Sequence, residues 1–179
     1  MNSEFRIQNS EFQKLAIIAL GSNLGDSKKN LVDAMARLQR FSAEPILKSS
    51  LWQTSPVDCP PNSPKFLNAA VALTPLANEK PESLLAKLQS LEKDFGRTPK
   101  KVLNEPRPLD LDLIAFGDEI QNSNTLTLPH PRAHERRFVL QPLAEIAPDL
   151  ILPGQKLTVA QLLTALRSNE RCEKICPAT

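Results

Sequence analysis

The sequence predicts an α+β domain in which helices pack on an antiparallel sheet. The strand-like stretches are residues 15–20, 46–53, 66–73 and the alternating run around Asp110, and helical stretches follow the first and the third of them. The order is therefore strand, helix, strand, strand, helix, strand, which is the order of a split βαβ arrangement. It predicts a ferredoxin-like fold whose helices cover one face of the sheet, with extra elements after residue 117.

A glycine-rich turn separates the first strand from the first helix. Residues 15–20 are all apolar, which is typical of a buried strand, and G-S-N-L-G-D follows at residues 21–26. This turn lacks the lysine of a P-loop and the three glycines of a dinucleotide-binding fingerprint, so we expect only a tight turn there. Residues 28–41 then carry apolar side chains at helical spacing.

The later elements also have local signals. A proline-rich loop joins the strands at residues 46–53 and 66–73. Pro81 suits a first helical position, a stripe of leucines follows it, and Gly96 can end that helix. Shorter elements are expected at residues 125–128, 139–146 and 158–166.

The domain is expected to span residues 15–167. The chain has 179 residues and a hydrophobic content of 41%, which is enough for one domain with a real core. Residues 1–14 are predicted to be a disordered extension, because they contain no apolar run of the kind found in signal peptides. Residues 168–179 are polar and are predicted to be a flexible tail.

Charge and cysteine content limit the partners. The net charge is +2, so no broad basic field indicates nucleic acid binding. No apolar run approaches the ~20 residues that cross a bilayer. The cysteines Cys59, Cys172 and Cys176 form a sparse, odd set, which favours a reducing compartment over a disulfide framework. We expect a cytoplasmic monomer that binds small molecules and neither nucleic acid nor membrane.

The strongest chemical signal is the D-x-D pair at Asp110 and Asp112. Side chains two residues apart on a strand share a face and are about 7 Å apart, while the leucines between and beside them take the other face. Such a carboxylate pair can hold Mg²⁺, which takes oxygen ligands, and Arg107 brings a phosphate-matching guanidinium to the same strand end. Taken alone, D-x-D also fits the solvated face of an amphipathic strand.

Two other sites place polar side chains within predicted secondary structure, one on a strand and one on a helix. Asn68 lies in apolar company, where its amide either ties down the preceding loop or reads a ligand that has donors and acceptors. Phe66 beside it fits a core position or a ligand platform. Gln89 and Glu92 share one helix face at i, i+3, away from the leucine stripe, which is more often a solvated pair than a ligand site.

Basic residues flank the strand with the aspartates. Arg97, Lys100 and Lys101 form a basic linker before it, which is either simply exposed or a mobile clamp for phosphates. His130 lies between two prolines with three arginines in the next seven residues. A histidine fixed in this way beside arginines is a candidate anion site.

These motifs together resemble the 6-hydroxymethyl-7,8-dihydropterin pyrophosphokinase family. The matching stretches are A-I-I-A-L-G-S-N-L-G, F-L-N-A-A-V-A-L, P-R-P-L-D-L-D, L-P-H-P-R and E-R-R-F-V-L-Q-P-L, and they cover roughly residues 15–166. The combination of P-R-x-L-D-L-D with L-P-H downstream is specific. The resemblance implies transfer of a pyrophosphoryl group from ATP, the co-substrate, to the hydroxymethyl group of a reduced pterin in folate biosynthesis, with release of AMP.

The resemblance also implies roles for individual residues. Asp110 and Asp112 correspond to the aspartates that hold two Mg²⁺ ions, and with Arg97 and Arg107 they are the candidate catalytic residues. The candidate pterin-binding residues are Thr54, Ser55, Val57, Phe66, Asn68 and Phe138. The candidate ATP-binding residues are Gln89, Glu92, Lys100, Leu113, Thr127, His130 and Arg136.

The chain departs from the family pattern before the P-R pair. Asn104 and Glu105 stand where the family often has an aromatic residue and a glycine, and Pro99 and Leu103 stand where some members have arginines. A pseudo-enzyme that binds pterin and nucleotide with a weakened catalytic loop is therefore the alternative. An RNA-binding module of similar fold is disfavoured, because the aspartates would repel phosphates and the chain has no tyrosine.

Overall fold

The strands and helices follow the predicted order. The computed structural model describes residues 7, 9–55, 64–98, 105–168 and 170–176. The strands are β1 (Ala16–Ser22), β2 (Leu47–Lys48), β3 (Leu51–Thr54), β4 (Phe66–Leu73), β5 (Asp110–Phe116), β6 (Gln121–Asn122), β7 (Thr127–Leu128) and β8 (Cys172–Cys176). The helices are α1 (Asn9–Phe12), α2 (Ser27–Leu38), α3 (Pro81–Asp94), α4 (Arg137–Ile146) and α5 (Val159–Ala165). None of these described helices has the length and apolar character needed to cross a membrane.

The main sheet is antiparallel, with strand order β5-β1-β4-β3-β8 and with β2 also paired to β4. The first four strands of this order are those expected of a ferredoxin-like fold, so the predicted fold class is confirmed. Strand β1 lies between β4 and β5, and its last residues pair with Asn68 on one side and with Asp110 on the other. Residues far apart in the sequence therefore meet at this end of the sheet.

Helices α2 and α3 cover one face of the sheet. Their buried leucines pack against alternate residues of the central strands, among them Val71 of β4 and Ile18 of β1. Leu109, Leu111 and Leu113 are buried in this same core, as the alternation of β5 predicts. The side chains of Asp110 and Asp112 consequently take the opposite face.

The opposite face is also covered over much of its area, so the prediction that helices pack on one face only is wrong. Helices α4 and α5 form a second core there with Ile17, Ala19, Ala70 and Ile114. The small alanines let a helix approach the sheet closely, and a strand that is apolar on both faces needs both faces covered. The open part of this face lies beyond the start of α4, next to the aspartates.

The strand predicted at residues 46–53 is interrupted by a bulge. The pairing register with β4 shifts by one residue between β2 and β3. At the shift, the Ser49 N–H donates to the Ala70 carbonyl and the Ala70 N–H donates to Ser49 Oγ, both at 2.9 Å. Ser50 turns to α4, where its N–H and its hydroxyl donate to the Glu145 carboxylate at 3.0 and 2.6 Å. The bulge therefore fixes α4 against the sheet.

Both ends of the chain pack on the domain over the residues described, which differs from the predicted extension and tail. Ile7 and Phe12 are buried, and the Ile7 N–H donates to the Ile146 carbonyl at 3.0 Å. At the other end, β8 pairs antiparallel with β3. The polar composition of these segments concealed the few apolar side chains and backbone groups that hold them.

Candidate active site

A cavity of about 370 Å³ opens on the sheet face beyond the start of α4. Its floor is the end of β1, where Gly21 lies between β4 and β5. A β-carbon on Gly21 would lie only 3.2 Å from Asn68 Oδ1 and 3.8 Å from the Phe66 ring, so glycine keeps this floor open. The cavity brings together these predicted site residues: Thr54, Ser55, Phe66, Asn68, Arg97, Arg107, Asp110, Asp112, His130, Arg136 and Phe138.

The two aspartates stand side by side at one end of the cavity. Asp110 pairs with Gly21 across the sheet and Asp112 pairs with Ala19, so small residues leave room beside both carboxylates. The Asp110 side chain is 22% exposed and the Asp112 side chain is 36% exposed. Both carboxylates can therefore be reached by a ligand.

Two arginines hold Asp110. The Arg97 guanidinium lies 2.7 Å from Asp110 Oδ1, and Arg107 Nε lies 3.5 Å from Asp110 Oδ2. Arg97 also donates to Glu92, whose Oε1 accepts the Leu111 N–H at 2.7 Å. Burial raises the pKa of Glu92 to about 7, against the opposing effects of the Leu111 N–H and Arg97. Glu92 thus orients Arg97 and fixes β5 without lining the cavity.

Asp112 faces a second cationic group. Arg136 Nη1 lies 3.8 Å from Asp112 Oδ2. Burial, and next the charge of Asp110, raise the pKa of Asp112, while His130 and Arg136 oppose the shift. Burial also lowers the pKa of the His130 imidazole. The backbone N–H of His130 donates to the Ile114 carbonyl at 2.8 Å. The cavity therefore has a strongly charged end with cations on both sides of the aspartates.

Another part of the cavity, which we call the ring end, combines the aromatic rings of Phe66 and Phe138 with the amide of Asn68. Phe66 and Phe138 come from β4 and α4, and Arg107 and Arg136 lie 5.8 and 5.5 Å from the centroids of these two rings. Asn68 is buried, and its Nδ2 donates to Thr54 Oγ1 at 2.8 Å. This end can accept a flat, polar ring system.

The sequence of residues 17–148 matches the model of the 7,8-dihydro-6-hydroxymethylpterin-pyrophosphokinase (HPPK) family. The chain belongs to this family. The 2-amino-4-hydroxy-6-hydroxymethyldihydropteridine pyrophosphokinase of Bacillus subtilis (strain 168) is 43% identical over 133 residues, which are 74% of this chain and 77% of the relative. The predicted family resemblance is therefore confirmed.

Longer proteins also contain a similar stretch. The folic acid synthesis protein fol1 of Pneumocystis carinii is 37% identical over 160 residues, which are 89% of this chain and 21% of the relative. A crystal structure of Plasmodium falciparum HPPK-DHPS with pteroate has a TM-score of 0.67 at 13% identity, over 84% of this chain and 44% of that one. The chain thus spans about a fifth of the first protein's length and under half of the second's. At its low identity, the second likeness concerns the fold.

Some predicted site residues of this HPPK family member do not reach the cavity. Gln89 is exposed on α3, and Leu113 is buried in the core under α2 and α3. Thr127 lies in the β6–β7 hairpin, where its hydroxyl donates to Asn122 Oδ1 at 3.2 Å. Val57 and Lys100 lie outside the described residues, as do Pro99, Lys101, Leu103 and Asn104.

One positioning residue of the charged end was not predicted. Asn23, in the turn after β1, is buried and accepts the Arg107 N–H on its Oδ1 at 2.9 Å. Its own N–H donates to the Arg107 carbonyl at 3.1 Å, and its Nδ2 donates to the Pro64 carbonyl at 3.4 Å. The glycine-rich turn was the available signal, since an asparagine in a tight turn commonly bonds to backbone.

A cation at the charged end would depend on the two aspartates. Among the described residues, no group of three or more histidines, cysteines, aspartates or glutamates is placed to hold a metal ion. Asp110 and Asp112 supply oxygen ligands of the kind that Mg²⁺ prefers, and its other ligands would come from phosphate oxygens and water. The donor set therefore fits a metal that arrives with a nucleotide.

Proposed function

We propose that this chain transfers the pyrophosphoryl group of ATP to the hydroxymethyl group of 6-hydroxymethyl-7,8-dihydropterin in folate biosynthesis. The products are AMP and the pterin diphosphate. The observation that carries the proposal is a single cavity with paired aspartates and arginines at one end and two rings with a buried amide at the other. Family membership supports the same activity.

The charged end is suited to the triphosphate. Asp110 and Asp112 would hold two Mg²⁺ ions, which neutralise phosphate charge and orient the reacting groups when bound. Arg97 and Arg107 now face Asp110 and can turn their guanidinium groups to phosphate oxygens, for which this group is well matched. Arg136 does the same from the Asp112 side.

The ring end is suited to the pterin. Phe66 and Phe138 provide apolar surfaces for a flat heterocycle. Because Asn68 Nδ2 already donates to Thr54, its Oδ1 accepts N–H groups of the pterin. Thr54 and Ser55 close this end of the cavity.

The reaction is an in-line displacement. The pterin hydroxyl oxygen forms a bond to the β-phosphorus of ATP, the bond from that phosphorus to the bridging oxygen of the α-phosphate breaks, and AMP leaves with the electron pair. The hydroxyl proton is lost to the site or to solvent. Positioning and charge neutralisation supply most of the catalysis in such transfers, and the residues of the cavity provide both.

We propose that the enzyme works as a cytoplasmic monomer on small molecules alone. The sparse, odd cysteine set supports a reducing compartment, and the net charge of +2 supports the absence of a nucleic acid partner. Size-exclusion chromatography with light scattering tests the oligomeric state, and a stable dimer would contradict the proposed monomer.

The function is tested by following nucleotide products with Mg²⁺, ATP and 6-hydroxymethyl-7,8-dihydropterin. AMP is expected in equal amount to pterin diphosphate, whereas ADP would indicate transfer of a single phosphoryl group. The 6-methyl pterin lacks the accepting hydroxyl and should give no AMP. Binding of both substrates without AMP formation would replace this proposal with the pseudo-enzyme alternative.

A further inference from the structure

The segment at residues 168 and 170–172 forms a wall of the cavity at its ring end. Ser168 and Glu170 line the cavity there. The Ser55 N–H donates to the Arg171 carbonyl at 3.2 Å, and the Arg171 N–H donates to Ser55 Oγ at 3.4 Å. These bonds fix the segment beside the pair Thr54–Ser55, although it lies outside the stretch 17–148 that matches the family model.

The Glu170 carboxylate is the chemically distinctive group of this wall. The positive charge of Arg137 and the backbone N–H of Phe138, at the start of α4, both favour its ionised form. Its Oε1 is buried and has no hydrogen-bond partner among the described residues. Burial raises the pKa of this carboxyl to about 7. Buried oxygens without partners are rare in proteins, so such an atom beside a binding cavity needs an explanation.

We infer that Glu170 is a specificity residue that accepts N–H groups from the amino-bearing edge of the pterin. The inference rests on the proposed function. A pterin that carries a 2-amino group presents several N–H donors along one edge, and a carboxylate can pair with two of them at once. Glu170 lines the same cavity as Phe138 and Asn68, the residues assigned to the ring faces and to other pterin N–H groups.

The chemistry favours the pterin over the nucleotide as the ligand of Glu170. The triphosphate is anionic, and a carboxylate would repel it, whereas the arginines that suit it line the cavity with Asp110 and Asp112. Above about pH 7 the Glu170 carboxyl is mostly ionised and has no N–H or O–H group, so it then selects a ligand edge made of donors. Glu170 therefore discriminates between heterocycles by their donor pattern.

A purely structural role makes a different prediction. In that case Glu170 caps the start of α4 through the Phe138 N–H and balances Arg137. Glu170→Gln keeps a side-chain oxygen for the Phe138 N–H and replaces the other oxygen with an N–H₂ group, which faces the donors of the pterin. Glu170→Ala removes both the cap and the acceptor. The two variants therefore separate capping from ligand recognition.

The test is calorimetric titration of the full chain with 6-hydroxymethylpterin, with and without the non-cleavable α,β-methylene ATP. We expect Glu170→Gln to raise the pterin Kd by about 10- to 100-fold, while Tm and the Kd of α,β-methylene ATP stay unchanged. Glu173→Gln is the matched control, because it removes the same charge from an exposed position in β8 and should leave both constants unchanged.

A pterin analogue without the 2-amino group identifies the edge that is read. The unchanged chain should lose at least about 10-fold in affinity for this analogue, and Glu170→Gln should lose much less. Equal pterin Kd values for Glu170→Gln and the unchanged chain would overturn the inference and leave Glu170 as a helix cap. An unchanged chain that binds no pterin would instead overturn the proposed function, and this inference with it.

Discussion

The two ends of the cavity are held in different ways. At the charged end, Arg97 contacts both Glu92 and Asp110, and Arg107 is fixed through its backbone by Asn23. Most of these residues lie on β5, on the segment before it, or at the end of α3. The charged groups that we propose to face a triphosphate are thus oriented by one another.

The ring end is assembled from segments far apart in the chain. Ser55, Phe66, Phe138 and Glu170 come from four separate stretches. One backbone–backbone bond and one bond to Ser55 Oγ join Ser55 to Arg171, which is next to Glu170. Here Glu170 keeps one carboxylate oxygen without a hydrogen-bond partner among the described residues. The difference indicates that charge needs internal compensation, whereas recognition of a neutral ring needs acceptors left open.

The largest expected effect is at the charged end. Asp110→Ala and Asp112→Ala should each lower kcat by at least about 100-fold, because each removes a carboxylate that positions phosphate charge. Turnover is measured over a range of Mg²⁺ concentrations, with thermal unfolding to show that the fold persists. Asp118→Ala, at an exposed position just after β5, is the control and should be fully active. Normal turnover of either variant at saturating Mg²⁺ would contradict the metal assignment.

A smaller and more selective effect is expected at the ring end. Asn68→Ala should weaken pterin binding by about 10- to 100-fold and leave nucleotide binding nearly unchanged, because a paired polar edge is lost. Titration with a pterin analogue and with α,β-methylene ATP measures both constants. Thr54→Val removes the partner of Asn68 Nδ2 while keeping the side-chain shape, so it should cost less. Equal losses for the two ligands in Asn68→Ala would make Asn68 a structural tie.

The hydrogen bond between Asn23 and Arg107, which was not predicted from the sequence, should have an intermediate effect. Asn23→Ala should lower kcat/KM for ATP by about 10-fold, since the buried Arg107 N–H loses its acceptor and the guanidinium loses its position. Asn23→Asp keeps that acceptor and loses only the bond to the Pro64 carbonyl, so its activity should lie between that of the unchanged chain and that of Asn23→Ala. Initial rates and Tm values of both variants and of the unchanged chain test this order. Activity of Asn23→Asp below that of Asn23→Ala would show that the tie to Pro64 matters more.

Much of the charged end could be predicted because its signal is local. The alternation of leucines with Asp110 and Asp112 gives both the strand and the face of each side chain, and the structure has the same arrangement. β4 likewise begins and ends where the pattern of residues 66–73 predicts. Periodicity within a few residues determines these features, and packing elsewhere does not alter them.

The features that were not predicted depend on contacts between distant residues. No local pattern shows that α4 covers the second face, because the alanines that admit it lie on β1 and β4. Nor does the polar stretch at residues 168–172 show that Glu170 reaches the cavity, since its place follows from bonds to Ser55. Leu113, predicted at the ATP side, is buried in the core because the alternation of β5 turns it away from the cavity.

The smallest expected effect compares the two glutamates whose pKa is raised by burial. Burial raises the pKa of both Glu92 and Glu170 to about 7, yet Glu92 Oε1 accepts two hydrogen bonds and Glu170 Oε1 accepts none among the described residues. We therefore expect Glu92→Gln to leave the pterin Kd unchanged, in contrast to Glu170→Gln. Its effect should appear in stability, because Glu92 orients Arg97 and fixes β5.

The pH dependence of unfolding measures this effect. A carboxyl with an ordinary pKa of 4.5 and a folded pKa of about 7 keeps its proton longer in the folded state, so its contribution to stability is fully present below pH 4.5 and is lost as the pH rises to about 7. The free energy of unfolding of Glu92→Gln should therefore fall less over this range, by about 1–3 kcal/mol, than that of the unchanged chain. Glu82→Gln, on the same helix, should run parallel to the unchanged chain above about pH 5, because the Gln121 hydrogen bond lowers the pKa of Glu82 and moves its titration to lower pH. Identical slopes for Glu92→Gln and the unchanged chain would show that Glu92 stays ionised beside Arg97 throughout.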